Sequence, residues 1–263
     1  MTKIPVIRLL AEQNPSLDKD SSYALVSCRN VYVNGELCTD PKALFDRNAS
    51  VEIIYPKYVS RGGLKLEKAL DFFELDVSGK TVLDAGSSTG GFTDCLLQRG
   101  AVCVHCVDVG YNLLDFKIRN DSRTVVHEKT NIMGVENLNP VPDIAVCDLS
   151  FRSIRGAASH ILNLTSKRVL IALIKPQFEV PRWQENFFGI VSDSTLMKET
   201  LENVWEALDK ENVGIFDAVV SPIKGHKGNT EFLALLKDKN EEALSCNDFL
   251  QLVSVYKDDN LSE

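Results

Sequence analysis

The chain has 263 residues, 44% of them hydrophobic and 25% charged, and its formal net charge is −8. This balance suits one large globular domain with a small companion, and the acidity excludes a chain coated with nucleic acid, because phosphate affinity comes from Lys and Arg. The longest strongly apolar run, VLIALI at Val169–Ile174, falls far short of the roughly 18 to 20 residues that span a bilayer, so no membrane insertion is expected. With no basic-then-apolar leader after Met1, the expectation is a soluble cytoplasmic protein. Seven cysteines without framework spacing predict reduced thiols.

Residues 1–57 read as an α+β module, with helices around Ile4 to Gln13 and Ser21 to Cys28, then VYVNGELC and ASVEIIYP as strands. Asn34-Gly35 between alternating apolar residues predicts a hairpin, since both positions take positive φ cheaply. Seven basic and seven acidic residues leave the module neutral. YPKYVSRGG reads as a linker centred on residues 58–63, before a helix from Leu64 to Phe73.

From Thr81 onward, apolar runs alternate with helical ones: TVLDAG, FTDCLLQRG, VCVHCVD, LLDFKIRN, TVVHEK, DIAVCDLS, a helix from Ile154 to Leu164, and VLIALIKPQF. Runs apolar at nearly every position predict strands buried on both faces of a parallel sheet, hence an α/β doubly wound domain over residues 64–238. A helix from Thr195 to Asp209 follows, and IFDAVVSPI with EFLALLK could close the sheet as a hairpin. Residues 239–263 turn polar and acidic and read as a tail.

The run LDAGSSTGGF places glycines where a first strand turns into a helix, the usual ligand site of such sheets. Gly86, Gly90 and Gly91 let the backbone approach a ligand, with Ser87 among them and Phe92 beside it. The pattern is neither G-x-G-x-x-G nor a phosphate loop. Asp84 would repel a pyrophosphate, yet it suits S-adenosylmethionine, which carries an ammonium, a sulfonium and hydroxyls. Asp108 ends the next strand, about where a carboxylate accepts ribose hydroxyls, and Asn131 at the third strand end could read adenine. Taken singly, each acid reads as a turn or cap, Asn131 as a turn residue and Phe92 as core.

Asp148 ends the fourth strand, Lys175 ends the fifth and Glu231 opens the last, with Lys65 just ahead of the sheet. A lysine after six apolar residues is partly desolvated, which favours a form that can accept or share a proton. Two lysines and two acids can balance one another while one lysine faces an alcohol. The bland readings are a helix cap for Asp148, a snorkelling strand end for Lys175, an edge-strand surface for Glu231 and a solvated helix face for Lys65. The four histidines have no ligand spacing, and in a strand Cys103 and Cys106 face opposite sides, so no metal is expected.

In their order and spacing, SRGGLKLEKAL, LDAGSSTGGFTDCLLQRGA, VDVGYNLL, DLSF, LIKPQFE and SPIKGHKGNTEFL closely resemble the TlyA family of rRNA 2′-O-methyltransferases. That family is also labelled hemolysin and shares the FtsJ-like methyltransferase fold. More loosely, Met1 to Pro56 is similar to an S4-like RNA-binding domain, chiefly through VYVNGE. The resemblance implies a Rossmann-like class I methyltransferase sheet, S-adenosylmethionine as methyl donor, and a ribose 2′-hydroxyl, on cytidine in the family, of ribosomal RNA or ribosomal subunits. The family's Lys-Asp-Lys-Glu tetrad falls on Lys65, Asp148, Lys175 and Glu231, with Lys175 activating the hydroxyl, and Asp148 also falls among the cofactor-site residues. Lys57, Arg61, Lys68, Lys224 and Lys227, with His226, could form a local basic patch for RNA.

Two features depart from the family pattern. FFGIVSD, with Phe187, Phe188 and Ser192, stands where relatives carry a Lys-Gly-Gly-x-Val-x-Asp run, and the N-terminal module is balanced where relatives are basic. Other functional classes remain open from sequence: a catalytically silent binder in ribosome assembly, a small-molecule O-methyltransferase, and a membrane-active hemolysin.

Overall fold

The computed structural model describes residues 3–150, 152–180 and 187–258, apart from the side chains of 226 and 255–258. Phe151 of the DLSF run, the His226 side chain and the last five residues of the expected tail lie outside that description. The chain divides into two compact units, Met1–Lys57 and Tyr58–Glu263.

The first unit runs β1 (Lys3–Pro5), α1 (Val6–Gln13), α2 (Lys19–Ser27), β2 (Val31–Val33), β3 (Glu36–Cys38), β4 (Leu44–Asp46) and β5 (Val51–Ile53). Asn34 and Gly35 both take positive φ, 53° and 83°, and join β2 to β3 as the hairpin that the Asn-Gly pair predicts. Asp18 caps α2 by accepting from the Ser21 amide at 2.7 Å. Leu9, Leu10, Val26 and Val31 form a separate small core.

The second unit begins with α3 (Gly62–Phe72), then β6 (Thr81–Ala85), α4 (Gly91–Gln98), β7 (Cys103–Val107), α5 (Phe116–Arg119), β8 (Thr124–His127), β9 (Ile144–Cys147), α6 (Ala158–Asn163) and β10 (Val169–Ile174). It ends with α7 (Pro176–Glu179), α8 (Ser194–Lys210), β11 (Val213–Val220), β12 (Phe232–Asp238) and α9 (Cys246–Asp258). One seven-stranded sheet results, in the order β11-β12-β10-β9-β6-β7-β8. The strands from β10 across to β8 are parallel, and β12 is antiparallel to both β10 and β11.

Alternate residues of each buried strand feed opposite cores, as a pleat with period two requires. Val82, Val146, Ile171 and Leu233 pack with Leu66 and Leu70 of α3 and Leu96 of α4. Leu83, Cys147, Ala172 and Phe232 pack on the other face with Ile161 of α6 and Leu201 and Val204 of α8. Helices therefore cover both faces, the doubly wound arrangement expected. Because β12 runs against its neighbours, its first residues lie at the same sheet edge as the last residues of β6, β7, β9 and β10, with Ile174 opposite Phe232.

Two segments differ from the sequence reading. Residues 58–63, expected as a linker, belong to the folded unit: Tyr58 is buried, and the Val59 amide donates to the buried Asp94 carboxylate at 2.9 Å. The Gly62-Gly63 pair serves close packing, since a Cβ on Gly63 would lie 2.3 Å from the Tyr58 ring. The segment after Asp238, expected as a polar tail, contains α9, whose Phe249 and Val253 complete the core beside α8. Their four-residue spacing puts both on one helix face although the surrounding composition is polar. Among the described residues, no helix is long and apolar enough to cross a membrane.

Candidate active site

Four strand ends and the start of α3 surround a cavity of about 650 Å³ at the sheet edge. Lys65, Asp148, Lys175 and Glu231 all line it. Lys175 follows the last residue of β10, Asp148 follows β9, Glu231 precedes β12, and Lys65 comes from the first turn of α3. Residues scattered over 166 positions thus meet in one place because the sheet gathers its strand ends there.

They meet as two ion pairs. Lys65 Nζ donates to Glu231 Oε2 at 2.6 Å, and Gln177 Nε2 donates to Glu231 Oε1 at 3.2 Å. A Cβ on Gly225 would lie 2.0 Å from Glu231 Oε1, so only glycine leaves room for this carboxylate. Lys175 Nζ contacts Asp148 Oδ1, donates to Ser150 Oγ at 3.5 Å, and sits 5.7 Å from the Phe178 ring centroid.

The glycine turn forms the adjoining wall. Gly86, Ser87, Gly91 and Phe92 line the cavity. A second recess of about 490 Å³ shares Gly86 and Asp148 with it and is lined further by Asp108 and Asn131. Gly86 has φ +83°, and a Cβ there would lie 2.5 Å from the Asp148 carbonyl oxygen, so the turn can press against β9 only without a side chain. Asp108 accepts from the amides of Ser88 at 2.8 Å and Gly110 at 2.7 Å, which holds the turn and the next loop together. Asn131 accepts from the Met133 amide at 3.1 Å, as a cap.

Two of the expected cofactor residues line neither space. Gly90 has φ +90° and starts α4, and its missing Cβ clears Ile118 and Leu114. Asp84 is fully buried beneath the turn: Thr93 Oγ1 donates to its Oδ2 at 2.6 Å, while its Oδ1 has no hydrogen-bond partner among the described residues. Burial pushes the Asp84 carboxyl up to about 7, the Thr93 hydroxyl opposes this, and the charges of Asp148 and then Asp108 add to it. An unpaired buried carboxylate oxygen favours a cation nearby, and the Ser87 hydroxyl is also buried without a partner. A ligand that carries positive charge and hydroxyls but no phosphate fits this acidic lining.

The expected basic residues divide. Arg61, Lys224 and Lys227 line the cavity. Lys68 does not; its Nζ lies 5.7 Å from the Phe72 ring centroid. Lys57 ends the first unit. Among the described residues, five cationic and two anionic side chains line the cavity, a local positive excess on an acidic chain.

Sequence reasoning missed Ser60, Gln177, Phe178, Gly225 and Asn229. Gln177 and Phe178 stand within three residues of Lys175 and were findable by proximity alone. Asn229 is buried and ties two loops together, accepting from the Val191 amide at 3.0 Å and donating to the Gly189 carbonyl at 2.9 Å. No local pattern signals it, because both partners are about 40 residues away.

The family model described as FtsJ-like methyltransferase matches residues 58–238. Hemolysin A of Brachyspira hyodysenteriae is 40% identical over 83% of this chain and 92% of its own length. The 16S/23S rRNA (cytidine-2′-O)-methyltransferase TlyA of Mycobacterium tuberculosis is 34% identical over 90% of both chains. A solved structure described as a hemolysin from Streptococcus thermophilus has a TM-score of 0.72 at 34% identity and covers 98% of both chains.

Proposed function

This chain belongs to the FtsJ-like methyltransferase family, and from that premise we propose that it methylates a ribose 2′-hydroxyl of ribosomal RNA, at a cytidine as in the activity its TlyA relative is named for. S-adenosylmethionine is the methyl donor. The observation that carries the reading is the meeting of both Lys-acid pairs in one positively lined cavity beside the glycine turn.

When bound, S-adenosylmethionine supplies a methyl group made electrophilic by its sulfonium. Asp108 and Asn131, which line the second recess, would hold its nucleoside, Ser87 would offer its hydroxyl from the turn, and Asp84 would act through its charge beneath the turn. Lys175 Nζ, which lines the cavity, would take the hydroxyl proton as it passes one of its own to the paired Asp148 carboxylate, leaving the ribose oxygen free to accept the methyl group. Asp148, in contact with Nζ, is the carboxylate on which that relayed proton ends. Lys65 and Glu231 fix the opposite wall, so the hydroxyl meets one orientation. Holding reacting atoms about 3 to 3.5 Å apart and in line supplies much of the acceleration. Arg61, Lys224 and Lys227 supply phosphate affinity at the mouth, and the neutral first unit adds RNA contacts of shape rather than charge.

The test incubates purified protein with radiolabelled S-adenosylmethionine and rRNA or ribosomal subunits. Label is expected in alkali-resistant dinucleotides, the product of ribose 2′-O-methylation, and transfer should slow in a chain lacking residues 1–57. Absence of label in ribose would leave a silent binder; label in a small molecule would replace the substrate; an unchanged rate without residues 1–57 would remove the first unit from RNA recognition.

A further inference from the structure

Phe188 is 80% exposed, an unusual position for a large apolar ring in a folded chain. Its chain neighbour Gly189 lines the cavity, so Phe188 is one residue away from that lining. Three hydrogen bonds attach its short segment to the loop that carries Glu231. Lys227 Nζ donates to the Phe188 carbonyl at 3.4 Å, Asn229 Nδ2 donates to the Gly189 carbonyl at 2.9 Å, and the Val191 amide donates to Asn229 Oδ1 at 3.0 Å. The ring is therefore placed by the same loop that places a member of the tetrad. Lys227, which donates to its carbonyl, and Lys224 are both exposed, and both line the cavity.

An exposed aromatic ring whose carbonyl is bonded by Lys227, in a segment that borders a positively lined cavity, matches how proteins hold single strands, with bases stacked on the ring and phosphates on the cations. We infer that Phe188 is a stacking platform for an unpaired base flanking the methylated nucleotide, with Lys224 and Lys227 on the adjoining phosphates. The inference rests on the RNA reading above and sharpens it: the substrate segment is locally unpaired, because a base inside a duplex offers no free face. Phe116 makes an internal control. It is 81% exposed and belongs to α5, and neither of its chain neighbours lines either space.

The experiment measures affinity of the full chain for a short unpaired oligoribonucleotide and for the same sequence as a duplex, in Phe188→Ala, Phe188→Trp, Phe188→Leu and Phe116→Ala. Phe188→Ala is expected to weaken unpaired-strand binding about tenfold, with the tryptophan variant near wild type and the leucine variant near alanine. Duplex binding and S-adenosylmethionine affinity should not change, and Phe116→Ala should match wild type. In methyl transfer, Phe188→Ala should raise KM for RNA about tenfold with kcat within about twofold. Undiminished strand binding by Phe188→Ala, equal loss on the duplex, or equal loss in Phe116→Ala would overturn the inference. Full rescue by leucine would reassign the ring to an apolar protein contact. A wild-type chain that transfers no label to rRNA would defeat the proposed function, whereas stacking is judged by strand binding alone.

Discussion

The two ion pairs of the cavity share a composition and differ in surroundings. In the Lys65–Glu231 pair the side chains are 12% and 3% exposed, and Gln177 and Gly225 close over the carboxylate. In the Lys175–Asp148 pair the lysine is equally covered at 11%, but the carboxylate is 25% exposed and faces both the cavity and the second recess. The more enclosed pair acts as a wall, because its carboxylate is held by Lys65 and Gln177 together and has little surface left for water or substrate. The open pair can accept a visitor, and water can replace a lost member. What separates structure from chemistry here is access to the carboxylate rather than the identity of the charges.

The largest effect tests that division directly. Lys175→Ala is expected to reduce single-turnover methyl transfer about a thousandfold, in the range of losing a positioned proton acceptor. Calorimetry should show the melting temperature within about 2 °C of wild type, since Asp148 can hydrate, and S-adenosylmethionine affinity should change little. Loss of melting temperature instead of turnover would reverse the roles of the pairs.

The sealed pair should behave oppositely. Lys65→Met leaves Glu231 charged and enclosed, a situation that costs about 3–5 kcal/mol and lowers the melting temperature by about 10 °C. Adding Glu231→Leu should restore much of that stability without restoring methyl transfer, because the double variant buries no unpaired charge. If Lys65→Met melts like wild type, Glu231 is not sealed, and the contrast between the pairs collapses.

The sequence showed this site more clearly than it showed the site's supports. Lys175 after VLIALI and Glu231 before FLALL were visible because a charge at the end of a buried run has one place to go. Asn34-Gly35 was equally plain because its backbone demand is local. Residues 58–63 misled because glycine pairs mark breaks and close approaches alike: Gly91 makes room for Ser60, whose Oγ would lie 2.1 Å from a Cβ there, but that contact spans about thirty residues. α9 was hidden by composition, since among its described side chains only Phe249 and Val253 are buried, in a polar segment. Asp84 was read as cavity-facing, although a period of two places it with Val82, on the α4 side of the sheet.

Asp84 supplies the smallest and most discriminating effect, because the Asp148 charge contributes to its raised pKa while Glu231 is not among the causes. The open pair is thus felt beneath the turn, and the sealed pair is not. A buried carboxyl near 7 in the fold, against 3.8 for the ordinary group, binds its proton more tightly folded than unfolded. Above pH 7 it is charged in both states and destabilises the fold; as pH falls from 7 toward 4 that penalty is relieved. Asp84→Asn should therefore raise the melting temperature of the ligand-free chain by about 5 °C at pH 8 and by clearly less at pH 5. The same substitution removes a buried negative charge beneath the turn, so calorimetry should find S-adenosylmethionine binding about tenfold weaker at pH 8, a loss of about 1.4 kcal/mol. Wild-type binding should itself weaken as pH drops below 7, and that dependence should vanish in Asp84→Asn. Unchanged affinity together with a raised melting temperature would make Asp84 a purely structural liability and would leave the open pair with no influence beneath the turn.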